Sequence, residues 1–194
     1  MVIKTSHKLI SAAVIAAAIA ISSQVAPAAH VGPDVFYPNP DKTPGSLNAD
    51  VTQANIQQTI CVSGWTNTIR PASSYTSQLK MAQLRQEGYA LYGDMEPSHY
   101  EEDHFVSLEL GGNPIDPQNL WPEPYFSTTS ADGGQVVAFI GAHQKDQVEN
   151  LLHKEVCSGQ LTLAQAQAAV MRDWYALYAN GSSQREDYTD NDDE

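Results

Sequence analysis

Residues 100–112, in the middle of a chain of 194 residues, have the sequence YEEDHFVSLELGG. Three acidic residues run into a histidine, polar and apolar residues then alternate, and two glycines follow. Alternation with a period of two predicts a strand with one apolar face over 105–110. The sequence GGNP at 111–114 predicts a turn, and DPQNLWP at 116–122 returns as a second extended segment. We therefore expect a β-hairpin that begins with carboxylates and an imidazole.

The longest predicted helix runs from about Gln135 to Val156, after a segment rich in Ser, Thr and Gly at 126–134. The residues at helical spacing on its apolar side are Val148, Leu151, Leu152 and Val156. The residues on its opposite side are Asp146, Glu149 and His153. If this polar side meets the hairpin, acidic and imidazole side chains from distant parts of the chain come together.

Two further helices are predicted around this unit, which makes the expected fold class α+β. One covers residues 77–88, with Leu79 and Leu84 on its buried side and Gly88 at its end. The other is capped by Thr162. Its predicted core stripe is Leu163, Ala166, Val170, Trp174 and Leu177. Trp121 is also expected in the core, because a buried tryptophan contributes a large apolar area.

Residues 1–29 are typical of a secretory signal peptide. Two lysines precede the apolar run 9–21, and APA at 26–28 offers a cleavage site. The apolar run is shorter than the roughly 20 residues that a membrane span needs, although an uncleaved anchor stays an alternative. We therefore predict a secreted or periplasmic protein without stable membrane association after cleavage. The sequence does not indicate its oligomeric state.

The remaining organisation follows from cysteine usage and charge. Cys61 and Cys157 are the only cysteines, and in an oxidising compartment such a pair predicts one disulfide. It closes a loop of about 95 residues, worth on the order of 4 kcal/mol in the chain-entropy model. We expect an extended arm or linker at 30–50, a single domain at 51–180, and an acidic disordered tail at 181–194.

The net charge is −13, and residues 30–183 alone carry 17 acidic and seven basic side chains. This balance opposes nucleic-acid binding, because phosphate contacts depend on Lys and Arg. A nucleic-acid substrate would need local attraction from a few bases, for which the candidates are Arg70, Lys80, Arg85 and Lys145.

The order of the polar residues resembles that of the HNH nucleases. Asp103-His104 begins the predicted hairpin, Asn119 lies on its return, and His153 lies on the helix. The segments TICVSGWT, EDHFVSLELGG, NLWPEP, KDQVENLLH and VCSG…LAQAQ…DW are similar to an exported bacterial branch of that family, and they span residues 59–174. The resemblance implies a small ββα-metal core with additional helices.

The resemblance also implies one divalent metal ion, with Asp103, Glu149 and His153 as its ligands. Carboxylate oxygens favour Mg²⁺ or Mn²⁺, while the imidazole ligand keeps Zn²⁺ and Ni²⁺ as alternatives. The residues expected beside these ligands are Glu102, Lys145 and Asp146. Lys145 and Asp146 have the alternative of forming a structural ion pair. His143 is an alternative ligand, because 34 positions separate Asn119 from His153, more than in compact HNH motifs.

In the same family His104 would be the general base, since a histidine can accept a proton from water near neutral pH. Asn119 would orient its imidazole. The expected reaction is hydrolysis of phosphodiester bonds in DNA, with RNA as an alternative substrate. The competing hypothesis is a catalytically silent exported scaffold that binds a metal, a protein or a cell-wall component.

Overall fold

The computed structural model describes residues 36–125, 127–128 and 139–186. The predicted signal peptide and its cleavage site lie outside these residues, as do 30–35 of the predicted arm and 187–194 of the predicted tail. Within the described ranges, no helix combines the length and the apolar character that crossing a membrane requires.

Helices and short antiparallel strands build the fold. The elements are α1 Trp65–Ile69, α2 Ser73–Gln83, β1 Tyr100–His104, β2 Leu120–Pro124, β3 Ser127–Thr128, β4 Phe139–Ile140, α3 Ala142–Cys157 and α4 Leu163–Glu186. Strand β1 pairs with β2 and strand β3 pairs with β4. This mixture confirms the predicted α+β class. Helix α4 is interrupted at Asp173, where the backbone leaves the helical conformation.

The antiparallel pair of the predicted hairpin is confirmed, but its first strand lies earlier in the chain. Tyr100 is opposite Pro124 and His104 is opposite Leu120. The predicted strand over 105–110 is wrong, because β1 ends at His104 and a 3₁₀ turn covers Leu108–Leu110. The alternation did not produce a strand because this segment turns against the core, where Ser107 is buried together with the apolar residues and Glu109 is half-buried.

The helices also depart from the predicted bounds. Helix α3 begins at Ala142 rather than near Gln135, and α2 covers Ser73–Gln83 rather than 77–88. Leu151, predicted on the apolar side of α3, is 53% exposed, whereas Glu149 is 3% exposed. The prediction failed because part of the buried side of α3 faces other charged groups.

A single apolar core joins the described part of the arm to α3, α4 and the segment after β1. Its buried members are Phe36, Tyr37, Val51, Ile56, Ile60, Phe105, Val106, Leu110, Trp121, Val148, Leu152, Val156, Leu163, Ala166, Val170 and Trp174. Trp174 is fully buried, and its indole N–H donates to the Phe36 carbonyl at 2.9 Å. Trp174 and Trp121 are thus confirmed as core residues, whereas Leu177 is 36% exposed.

The predicted disulfide is confirmed. Cys61 and Cys157 are joined with an S–S distance of 1.96 Å and a Cα–Cα distance of 5.6 Å. The bond ties the segment before α1 to the last residue of α3 across 96 positions of sequence. A structural disulfide is compatible with an extracytoplasmic location.

The second glycine of the opening stretch allows a close approach between two backbone segments. A Cβ atom on Gly112 would lie 1.7 Å from the Val106 carbonyl oxygen and 2.7 Å from the Asn119 side-chain amide. Contacts that short require the connection between β1 and β2 to move.

We expect Gly112→Ala to destabilise the fold by about 3 kcal/mol or more. The matched control is Gly181→Ala in α4, where the new Cβ meets no atom within 4 Å. There, alanine should be neutral or stabilise the helix by up to about 1 kcal/mol. Urea denaturation followed by circular dichroism measures both, and equal midpoints for the two variants would contradict the close packing.

Candidate functional site

A buried lysine connects β1, β2 and α3. The ammonium of Lys145 donates to Asp103 Oδ2 at 2.6 Å, to the His104 backbone carbonyl at 2.9 Å, and to Glu149 Oε1. Glu123 Oε2, from β2, lies 3.9 Å from the same nitrogen. We call Asp103, Glu123, Lys145 and Glu149 the lysine cluster. Lys145 is 0% exposed, so its charge is compensated by these side chains and not by water.

Burial and mutual charge set the protonation of the lysine cluster. Burial raises the pKa of Asp103, but the charge of Lys145 and hydrogen bonds with Glu123 and Lys145 outweigh it and leave that pKa below its ordinary value. Burial, reinforced by Asp103, raises the pKa of Glu123 and Glu149 well above the usual range, although Lys145 opposes this. Burial lowers the pKa of Lys145, yet the three carboxyl groups bring it well above its usual value. The protein therefore supplies its own positive charge at these carboxylates.

His153, the third predicted metal ligand, has other partners. Its Nε2 donates to the Ile60 carbonyl at 2.9 Å, and its Nδ1 lies 3.5 Å from Glu109 Oε2. The structure does not bring Asp103, Glu149 and His153 into one group of ligand atoms. Among the described residues, the group that meets a metal-binding spacing is Cys61, His153 and Cys157, whose ligand atoms lie within 4.8 Å of one another.

The Cys-His-Cys group could hold a metal ion, because thiolates and an imidazole are typical zinc ligands. Its two sulfur atoms are bonded to each other in the disulfide. A disulfide sulfur is not a thiolate, so metal binding at this group requires reduction of the bond. The group lies at the end of α3 that carries the disulfide, and it shares no residue with the lysine cluster.

The residues of the lysine cluster do not fit the predicted divalent ion. An ion bound to the oxygens of Asp103 and Glu149 that accept hydrogen bonds from Lys145 would lie within about 4 Å of its ammonium. The repulsion between a double and a single positive charge at that distance is about 8 kcal/mol at an effective dielectric constant of 20. The carboxyl groups predicted to bind the metal ion are therefore already bound to the positively charged ammonium of Lys145.

His104, predicted as the general base, is held in one tautomer. Its Nε2 lies 3.0 Å from the Pro114 carbonyl oxygen. A carbonyl only accepts hydrogen bonds, so Nε2 carries the proton and Nδ1 keeps a free lone pair in the neutral ring. Nδ1 makes no hydrogen bond to any residue that the structure describes. The ring is 5% exposed, and burial lowers the pKa of His104 below its usual value, which favours this neutral form.

Asn119 does not orient the imidazole directly. It is fully buried, and its side chain bonds to the Val106 N–H and carbonyl at 2.9 Å each and to the Asn113 carbonyl at 3.0 Å. The Asn119 side chain thus pairs with the backbone N–H and carbonyl of Val106, as a neighbouring strand would. Asn113 precedes Pro114, so Asn119 positions His104 through the backbone of the connecting loop.

Two cavities meet at His104. The acidic cleft, of about 320 Å³, is lined by Thr66, Arg70, Glu101, Asp103, His104, Ser107, Leu108, Glu109, Asp146, Glu149 and Asn150. The hydroxyl pocket, of about 250 Å³, is lined by Arg70, Pro71, Ser73, Thr76, Ser77, Lys80, Glu101, Glu102, His104 and Tyr125. Arg70, Glu101 and His104 line both. The Arg70 guanidinium makes no hydrogen bond or ion pair within the described ranges, so it can receive an anion.

The other predicted residues lie around these cavities. Asp146 is exposed, and its carboxylate oxygen Oδ2 lies 4.0 Å from Nδ1 of His143. The alternative of a Lys145–Asp146 ion pair is therefore wrong, because Lys145 points inward to the lysine cluster. Glu102 lines the hydroxyl pocket, and its two carboxyl oxygens are buried without a hydrogen-bond partner among the described residues.

Glu123 and the hydroxyl side chains of the pocket were not predicted from the sequence. Glu123 is 1% exposed and lies in the segment NLWPEP. An acidic residue among apolar residues and prolines was an available signal of a buried charge. Ser73, Thr76 and Ser77 carried no such signal, because hydroxyl side chains at the start of a helix are common without any ligand.

Comparison with known proteins yields no relative. No family model matches the chain, and no curated protein or solved structure matches it significantly. The assignment to the HNH nucleases therefore stays a prediction from sequence, and function is inferred from the geometry of the described residues.

Glu102 gives a pH test of this geometry. Burial, aided by Asp103 and opposed by Lys80, raises its pKa from 4.5 to about 8. Between these values the folded protein binds more protons at this group than the unfolded chain, so its contribution to folding stability falls progressively as the pH rises from 4.5 and levels off above about 8.

We expect Glu102→Gln to match the wild type in thermal stability near pH 5 and to exceed it by roughly 3–6 °C at pH 9. The exposed Glu87→Gln is the control, because water solvates that side chain in the folded and the unfolded states alike. Differential scanning fluorimetry between pH 5 and 9 measures the trend, and a constant difference across this range would refute the burial of an ionisable Glu102.

Proposed function

We propose that this chain is an exported phosphodiester hydrolase of the HNH type, with β1, β2 and α3 as its ββα element. DNA is the leading substrate and RNA is the alternative. The observation that carries the proposal is His104, whose Nε2–H bond to Pro114 leaves Nδ1 as an unpaired acceptor beside two cavities. A buried neutral imidazole with one nitrogen anchored and the other free is suited to general-base catalysis.

In the proposed reaction a water molecule attacks phosphorus while Nδ1 of His104 takes its proton. The oxygen of that water forms a new bond to phosphorus, and the ester bond to the leaving oxygen breaks. The leaving alkoxide is protonated by solvent, and His104 then returns its proton to water. The hydrogen bond from Nε2 to Pro114 persists through the cycle and stabilises the imidazolium that forms.

Charge favours the hydroxyl pocket as the place of the phosphate. The acidic cleft contains five carboxyl groups against one arginine, whereas the hydroxyl pocket contains Arg70 and Lys80 against Glu101 and Glu102. With its pKa near 8, Glu102 is mostly neutral at pH 7. Arg70 stands beside His104 in both cavities, and a guanidinium binds phosphate oxygens with two parallel hydrogen bonds.

The proposal uses no step through a divalent ion, because the predicted ligands do not form a group around one. Asp103 acts by binding Lys145, which in turn holds the end of β1 from which His104 projects. The net charge of −13 predicts slow, salt-dependent encounter with nucleic acid. Export is part of the proposal and is supported by the disulfide and by the character of residues 1–29.

We expect His104→Ala to reduce phosphodiester hydrolysis about 100-fold or more, because a general base contributes a factor of that size. The test uses bis(p-nitrophenyl) phosphate as a small probe, plus plasmid DNA and RNA, each with EDTA or with added Mg²⁺, Mn²⁺ or Zn²⁺. His99→Ala is the matched control, since the His99 side chain is 61% exposed and lies outside both cavities.

The small probe separates catalysis from attraction of a long polyanion to an acidic protein. Absence of turnover of all three substrates under every condition would remove the enzyme hypothesis and leave the exported scaffold. Equal rates for His104→Ala and wild type would have the same consequence.

We expect Arg70→Ala to raise KM for the small probe by about 10-fold while kcat falls less, because a charge-assisted hydrogen bond to phosphate is lost. Arg85→Ala is the control, since Arg85 is exposed and lines neither cavity. Steady-state kinetics at low salt measures both parameters. An unchanged KM in Arg70→Ala would show that the phosphate binds elsewhere.

A further inference from the structure

The ammonium of Lys145 has no unused hydrogen. A protonated lysine carries three N–H donors, and Lys145 directs them at Asp103 Oδ2, Glu149 Oε1 and the His104 carbonyl. The side chain is buried at 0% exposure. Three oxygen atoms, two from β1 and one from α3, therefore surround one buried positive charge. Proteins also surround bound metal cations with oxygen ligands in this way.

We propose that Lys145 is the built-in cation of this site. It holds the carboxylates of Asp103 and Glu149 together in place of the divalent ion expected from sequence, so the protein does not bind such an ion at these oxygens. The inference stands on the contacts of Lys145, and it rests on the proposed function only for its catalytic consequence, which is hydrolysis without a divalent metal.

The position of Lys145 explains why a lysine suits this role. It lies in the first turns of α3, and its stem extends to the end of β1, with Glu123 of β2 3.9 Å from the nitrogen. One fixed charge therefore fastens three elements to each other. Because one of its bonds is to the backbone of His104, Lys145 is also a positioning residue for the imidazole.

The deciding experiment is a titration of the folded wild type. After dialysis against EDTA, the full chain is titrated with Mn²⁺ and with Mg²⁺ by calorimetry, beside Asp103→Asn. We expect no stoichiometric binding that depends on Asp103. One equivalent of ion bound by the wild type and lost in Asp103→Asn would overturn the proposal, whereas binding that survives this substitution lies elsewhere and agrees with it.

Lys145→Met tests whether the charge of Lys145 is what excludes a divalent ion, since methionine keeps a similar side-chain length and removes the charge. We expect this variant to melt at a lower temperature than the wild type, to gain at least 10-fold in affinity for Mn²⁺, and to recover thermal stability when Mn²⁺ is added. A folded Lys145→Met that gains no affinity would overturn the proposal. If the variant does not fold, the wild-type titration still decides.

The catalytic consequence is measured separately. Where the wild type hydrolyses the small probe, EDTA should change the rate by less than twofold, and a loss of activity in EDTA that Mn²⁺ restores would count against Lys145 as the cation. If no hydrolysis is found, the proposed function fails while the calorimetric result still answers the question about Lys145.

Discussion

One buried ion cluster fastens β1, β2 and α3 to each other. Lys145 donates to two carboxylates and one backbone carbonyl while it is excluded from water. Removing the lysine or a carboxylate partner from such a cluster lowers the stability of the fold, because the remaining charge stays buried without compensation. The cluster ties α3 to the β1–β2 pair at one end, and the disulfide ties the other end of α3 to the segment before α1. Helix α3 is thus held at both ends by strong, specific bonds.

The same cluster gives the candidate site its chemistry. With Asp103 bound to Lys145, the end of β1 is rigid, and the next residue presents an imidazole whose tautomer is set by the Pro114 carbonyl. The residue before Pro114 is in turn held by Asn119, whose side chain bonds to the Val106 N–H and to the Asn113 carbonyl, on both sides of the loop. The imidazole is therefore anchored from the strand and from the loop, and His104 lines both cavities. Preorganisation of this kind is what general-base catalysis requires.

The acidic cleft and the hydroxyl pocket divide the surroundings of His104 by charge. The cleft collects carboxyl groups whose pKa values burial raises, among them Glu101, Glu109 and Asp146. The hydroxyl pocket collects serines, a threonine and two basic side chains. For the proposed anionic substrate, this distribution of charge favours the hydroxyl pocket over the acidic cleft despite the acidity of the whole chain.

The pairing of Cys61 with Cys157, the mixture of helices and strands, and the burial of Trp121 and Trp174 were predictable from the sequence, which also offered His104 as a candidate base. The first three depend on composition, on local periodicity, or on there being a single possible cysteine pair, whereas the role of His104 comes from the resemblance to the HNH nucleases. The tertiary structure was needed to show that β1 ends at His104, that Pro114 rather than Asn119 holds the imidazole, and that His153 lies beside the disulfide. It also decided that Lys145 is buried among carboxylates. A lysine on a polar helix face is typical of a solvated surface, and its burial depends on partners 22 and 42 residues away that no local pattern connects. Electrostatic compensation acts through space, so the charges that share one site became visible only when the chain had brought them together.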